Sequence, residues 1–304
     1  MDVRHLQLLR ELADRGSVTA VAGATHRTVS AVSQQLRTAQ REAGMSLVEP
    51  DGRGIRLTEA GRLLAAGAVE VDAVLAAVHA RWDAYRDDPG GPVSIVAFPS
   101  AATLLFPPLL REAKRAGIEL RMTDIDPSES DFAGLTADFD IVIAHSLTRT
   151  RPTGTTGLAV RELAVEPLDI AMSATHPLAS RPVLSAENVA DASWIGVPEG
   201  YPFDSVLAAI ERRAGRPVHV VQRVRDNRLI EEMISASGHL AILPRFTTRT
   251  SDRLALVPLS DVPAIRRMYA VMRPDRAQRR AVQTMLAAMS DALATHTGGG
   301  HERR

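Results

Sequence analysis

The stretch from Ser17 to Arg37 constrains this chain more than any other, because it sets two short helical patterns around one tight polar turn. Ser17 before the first pattern and Thr28 before the second each offer a side-chain oxygen to the unpaired N–H groups of a helix start. In the second helix Val29, Val32 and Leu36 recur at helical spacing and predict one inward-packing stripe. Ser30, Gln34 and Arg37 project from the opposite side, with Ser33 and Gln35 at its edges and Ala31 beside them. Short hydroxyls, amides and one guanidinium suit the major groove of DNA, whose base edges offer donors and acceptors. The arrangement predicts a helix-turn-helix with its recognition helix second.

Residues Gly44 to Gly61 read as a strand, a Gly-rich turn, a second strand and a helix start, which makes the motif winged. Arg53 and Arg56 on the wing, together with Thr28, are expected to hold the DNA backbone. From Thr58 an Ala-rich helical pattern runs to about Arg86, with Leu64, Ala68, Val71, Leu75, Val78 and Trp82 at alternating steps of four and three. That heptad seam predicts pairing with another helix; the competing reading is an amphipathic helix folded onto its own domain. Asp87 to Pro92 then breaks the helix and marks a hinge.

At this point the chain resembles the LysR-type transcriptional regulators. The matching residues are Gly16-Ser17, Ala22, Ser30 to Gln35, Gly44, Leu47 and Arg56 to Gly61. Ala39-Gln40 stands where the family usually has Leu-Glu, Ala43 replaces another usual Leu, and Val48-Glu49-Pro50 replaces Phe-x-Arg. The Arg lost there is one that the resemblance assigns to phosphate. The resemblance implies a DNA-binding set of Ser17, Thr28, Ser30, Ala31, Ser33, Gln34, Gln35, Arg37, Arg53 and Arg56. It further implies double-stranded promoter DNA and a small-molecule effector as partners, a homodimer or homotetramer, and RNA polymerase as a further candidate partner. Two recognition helices would then read half-sites about one helical turn apart.

Composition bounds the rest. Formal net charge is zero, with Lys114 the only lysine, so one subunit alone is expected to bind DNA non-specifically with modest affinity. Aromatics are 4% against 45% apolar residues overall, so the cores must rest on Ala, Val, Leu and Ile. There is no cysteine, which excludes disulfides, thiolate metal sites and a Cys nucleophile. The N-terminus lacks a secretion signal and no apolar run reads as long enough for a bilayer, so a cytoplasmic location without membrane contact is expected.

Beyond the hinge, strands alternate with helices: Val93 to Phe98, Ile118 to Thr123 and Asp140 to Ala144 are strands, with a helix through about Arg115. The pattern predicts a parallel α/β layout. The chain crosses near Ala164 to Pro167 into a second lobe, with strands at 168–172, 195–197, 218–224 and 240–243, and returns around Val262 to Arg267. This half is similar to the LysR-type effector domain, whose fold resembles periplasmic solute-binding proteins, through Glu166-Pro167-Leu168, His176 to Ala179 and Gly238 to Pro244. The expected fold class is α/β overall: a winged helix-turn-helix (1–58), a linker and dimerisation helix (59–88), and a two-lobed effector domain (92–296). Lobe I comprises 92–164 and 267–296, lobe II 165–266, and 297–304 is expected to be a disordered tail.

In such lobes ligands bind beyond the carboxyl ends of strands, where free helix N–H groups attract anions. Position therefore selects Ser100, Ala101 and Thr103, then His145 and Ser146, then Gly200, Tyr201 and Phe203, then Asp226 and Asn227, and Phe246. An anionic effector is the favoured class. Ser100 and Asn227 read equally well as helix caps, and Arg149 and Arg151 as solvated loop charges. Catalytic residues, metal ligands and cofactors are not expected: the histidines are scattered, and no nucleophile elbow or phosphate loop is present. The rival function is a small-molecule-binding α/β protein with an enzymatic or non-sensing role. A purely structural DNA-bending protein is a third class, against which the cleft-forming half argues.

Overall fold

The computed structural model describes residues 1–52, 54–248 and 251–297. Three helices open the chain, α1 (Val3–Arg15), α2 (Val18–Ala24) and α3 (Val29–Ala43), followed by the antiparallel pair β1 (Val48–Asp51) and β2 (Gly54–Leu57). The caps act as the chain predicts: Ser17 Oγ accepts from Ala20 N at 3.1 Å, and Thr28 Oγ1 from Ala31 N at 3.2 Å. Leu9, Leu12, Val21, Val32, Leu36 and Leu47 form the core of this unit. Thr58 caps α4 (Glu59–Tyr85), whose first turn lies against the Leu47 carbonyl. Any Cβ at Gly61 would collide with that oxygen, so glycine is required where the long helix leaves the wing.

The remaining elements are β3 (Val93–Ala97), α5 (Pro99–Ala116), β4 (Leu120–Asp124), α6 (Phe132–Leu135), β5 (Ile141–Ser146), β6 (Ala159–Ser173), α7 (Ala186–Val189), β7 (Ser193–Gly196), α8 (Asp204–Ala214), β8 (His219–Arg223), α9 (Asn227–Ser235), β9 (Ala241–Pro244), β10 (Leu254–Val257), β11 (Ile265–Met272), α10 (Pro274–Gln278) and α11 (Arg280–Thr297). The main sheet runs β10-β6-β11-β5-β3-β4, with β9 also paired to β6. Among the described strand pairs, β3 with β4 and β5, and β7 with β8, are parallel. The parallel layout expected of the first three strands after the hinge is found in β3, β4 and β5, while the sheet as a whole is mixed. A chain that crosses between lobes and returns must run one crossing strand against the other, and β6 and β11 do so.

Strand β6 passes from one lobe to the other without a break. Residues up to Pro167 pair with β11, and from Leu168 they pair with β9. Pro167 has no N–H to donate, which suits the point where partners change. One core packs around β3, β5 and α11, and a second around Trp194, Ile210 and Ile230. Strand β10 was not anticipated.

Helix α1 is seated on both α4 and lobe I by ion pairs, most of them part-buried. Arg10 donates to Asp72 at 2.7 Å and to Asp275 at 2.6 Å. Arg273 donates to Glu11 at 2.9 Å and also to Asp14, and Arg15 reaches Glu11 at 2.8 Å and Asp138 at 3.0 Å. Burial alone would raise the Glu11 carboxyl, but hydrogen bonds from Arg15 and Arg273 hold it below the usual carboxylate range. By length and composition α4 could cross a membrane, although Glu70 and Asp72 interrupt its apolar stretch. Its inner face nonetheless belongs to α1 and α10, with Asp72 ion-paired midway along it.

Candidate functional site

On α3 the buried stripe is Val32, Leu36 and Ala39. Val29 is 47% exposed, correcting the expectation that it packs inward; as the first residue of the helix it lies beyond the domain core. Ser30, Gln34 and Arg37 are exposed and Ser33 and Ala31 half-exposed. Neither Gln34 nor Arg37 has a hydrogen bond or ion pair among the described residues. Gln35 is engaged within the domain: its Oε1 accepts from Arg27 at 2.5 Å and its Nε2 donates to the Arg4 carbonyl at 2.7 Å. The Gln35 amide is thus engaged inside the domain, one end on Arg27 in the turn before α3 and the other on Arg4 of α1. Ser17 caps α2, and Arg56 pairs with Glu49 across the wing at 2.9 Å. Arg53 lies outside the described residues, as does the expected tail beyond Thr297.

The heptad positions divide between two faces of α4. Ala68 is buried and Leu64 packs against the DNA-binding core, so these two are corrected from seam to interior. Val71 is half-buried, while Leu75, Val78 and Trp82 are exposed alongside Leu63, Val74 and Tyr85. Trp82 and Tyr85 stack at 5.6 Å. These residues leave an apolar face open along the outer side of α4.

Between the lobes lies a cavity of about 220 Å³. It brings together Ser100, Thr103, His145, Tyr201, Phe203 and Asn227 from the positions read in sequence. It does not include Ala101, Ser146, Gly200 or Phe246. Ala101 and Ser146 are fully buried, Gly200 N donates to Asp204 at 3.2 Å, and Phe246 packs against lobe I. Strand β5 runs through Ser146 where the reading ended it at Ala144, which is why His145 and Ser146 are interior residues. Asn227 is the first residue of α9; the cap is Asp226, whose carboxylate accepts from Leu229 N at 2.8 Å. Nor is Ser100 a cap, since Phe98 occupies that position without a side-chain bond.

The residue at the centre of the cavity was missed. Arg266, 2% exposed, donates through Nε and Nη2 to Glu166 and through Nη1 to Ser100 Oγ at 2.9 Å. Its guanidinium lies over Phe98 at 4.8 Å and Phe203 at 5.5 Å. The other Glu166 oxygen accepts from Phe246 N at 2.8 Å. Glu166 and Arg266 face each other directly on β6 and β11, so one ion pair joins both crossing strands, α5 and the start of α8. The available signal was Glu166 in the first crossing segment and the Arg266-Arg267 pair in the second.

His145 sits edge-on to Phe98 at 4.8 Å and Phe132 at 5.0 Å. Burial, helped by the Arg266 charge, drives its pKa down to about 3, so the ring is neutral at physiological pH. Its Nδ1 is buried without a hydrogen-bond partner among the described residues. Asp126 on the cavity wall is pushed up by burial, against the attraction of Arg225 and Arg266.

A family model described as the LysR substrate binding domain matches residues 86–294, and one for the bacterial regulatory helix-turn-helix protein, lysR family, matches residues 3–62. The transcriptional dual regulator GltC of Bacillus subtilis is 23% identical, covering 90% of this chain and 91% of its own. The HTH-type regulator AlsR of the same organism is 24% identical over 80% of each chain. Among solved structures, full-length OxyR from Pseudomonas aeruginosa aligns at TM-score 0.64 with 19% identity, covering 95% of this chain and 94% of that one. Full-length CbnR complexed with its target DNA aligns at 0.50, with 19% identity and coverage of 95% and 100%.

Proposed function

We propose, from the premise that this chain belongs to the LysR family of bacterial regulators, that α3 reads promoter DNA and that a small molecule in the inter-lobe cavity controls the reading. The chain is a DNA-binding transcriptional regulator with small-molecule and homo-oligomeric partners, not an enzyme. Residues 1–58 act on DNA, 59–88 link and associate, and 92–296 sense. Ser30, Ser33, Gln34 and Arg37 contact base edges or adjacent phosphates, while Thr28 and Arg56 steady the backbone. Leu75, Val78 and Trp82 meet a second copy. The protein works in the cytoplasm, where its DNA is.

The observation that supports this most directly is the outer face of α3, exposed and carrying Gln34 and Arg37 without partners inside the chain. A duplex selected from a random library supplies the binding site for a gel-shift assay. Gln34→Ala with Arg37→Ala should weaken binding by roughly tenfold or more, since a good base contact contributes about 1–3 kcal/mol. Circular dichroism should show the helices intact. Unchanged affinity for the selected site rejects the placement.

A further inference from the structure

We propose that the cavity is built for a zwitterion, a small amino-carboxylic acid, rather than for a simple anion; this rests on the effector-site reading above. The lining carries three guanidiniums, Arg225, Arg228 and Arg266, against three carboxylates, Asp126, Asp226 and Glu231. Arg266 is engaged by Glu166 and Ser100, Arg228 by Glu231, and Asp226 by the α9 backbone. That leaves one charge of each sign. Asp126 is half-buried, and Arg225 rests on the Tyr201 ring at 4.8 Å. Neither has a hydrogen bond or ion pair among the described residues.

An anion alone would meet the Asp126 carboxylate, which burial already leaves poorly solvated. A cation alone would meet Arg225 and Arg266. A ligand carrying an ammonium and a carboxylate satisfies both. The carboxylate has a further donor at the start of the 18-residue α5, where the N–H group of Ser100, which lines the cavity, precedes the first intrahelical bond, made by Ala102. Ser100 Oγ accepts from Arg266, so its own proton is free to donate.

His145 gives an independent indication. Its Nδ1 is buried, lacks a partner, and belongs to a residue lining this cavity. A neutral imidazole nitrogen can accept from an ammonium or donate to a carboxylate according to tautomer. Phe98, Tyr201 and Phe203 supply apolar walls for the ligand's remaining carbon atoms.

The test uses the full chain and three matched sets of probes: the standard amino acids, their 2-oxo acids lacking the amine, and their amides lacking the carboxylate. Thermal shift identifies binders and calorimetry gives affinities. At least one amino acid should bind, with its oxo acid and amide each weaker by roughly tenfold or more. Asp126→Asn should lose that amino acid's advantage over its oxo acid, with circular dichroism unchanged. Equal binding of an oxo acid, full binding by Asp126→Asn, or no binder among the amino acids overturns the zwitterion assignment. Binding that survives Thr103→Trp, which fills the cavity, overturns the effector-site reading instead.

Discussion

Replacing Arg266 by Met should be among the most damaging single changes in the chain. The substitution keeps an unbranched apolar stem against Phe98 and Phe203 but leaves Glu166, which is fully buried, with only the Phe246 N–H as donor. Removing one partner of a buried ion pair costs about 3–5 kcal/mol, because the remaining charge is neither solvated nor neutralised. For a domain of this size each kcal/mol moves the melting temperature by about 2–4 °C, so the expected loss is roughly 6–20 °C. Thermal unfolding followed by circular dichroism reads it directly. The partner experiment is Glu166→Leu combined with Arg266→Met, which removes both charges and should recover most of the loss, since an apolar replacement of a buried pair is often neutral or better. If the double variant melts no higher than the single one, uncompensated charge is not the cause. A single-variant loss below about 1 kcal/mol refutes the reasoning outright.

The other predictions concern separate parts of the molecule. His145 is neutral in the folded state, with a pKa of about 3, but titrates near 6.5 when unfolded. Its contribution is therefore present above pH 6.5 and declines as pH falls toward 3, by up to about 1.4 kcal/mol per unit. His145→Leu should flatten the pH dependence of melting across that window, and an unaltered slope would assign it to other groups. Val78→Glu with Trp82→Glu places charge on the exposed face of α4, and sedimentation should show smaller species; an unchanged assembly would show that other surfaces hold it. Arg273→Ala removes the donor shared by Glu11 and Asp14, and hydrogen exchange in α1 should accelerate while the strands of lobe I stay protected. Equal protection of α1 would show that Arg10 and Arg15 suffice without Arg273.

Legibility followed the range of the interactions. The DNA-binding half is specified by neighbours in sequence: Ser17, Thr28 and Thr58 each cap the helix that follows, and Gly61 has one reason to be glycine. The capping signals lie within a few residues of what they determine, and Leu47, which requires the glycine, stands just before the wing. The seam on α4 was visible as a period, but a period does not say which apolar residues are already used by the same chain. Leu64 and Ala68 proved to be interior because α1 and α10 lie against that side. The cavity was legible in part. Positions after strands and before helices found Ser100, Tyr201 and Phe203, yet the ion pair between them joins residues separated by 100 positions. Polarity was misleading at His145 and Ser146, which read as the exit from a strand and are instead its buried last residues.

The ion pairs that seat α1 on lobe I bear on how a signal can travel. Arg273 and Arg10 join the DNA-binding unit, α4 and lobe I, whereas lobe II is joined to lobe I by the two crossing strands. A ligand shifts an equilibrium only through states it binds differently. If the contact around α1 stays intact when the cavity is filled, α3 keeps its place in the protomer, and the ligand would act on DNA through the way one copy meets the next, which would make the spacing between two α3 helices a property of the assembly.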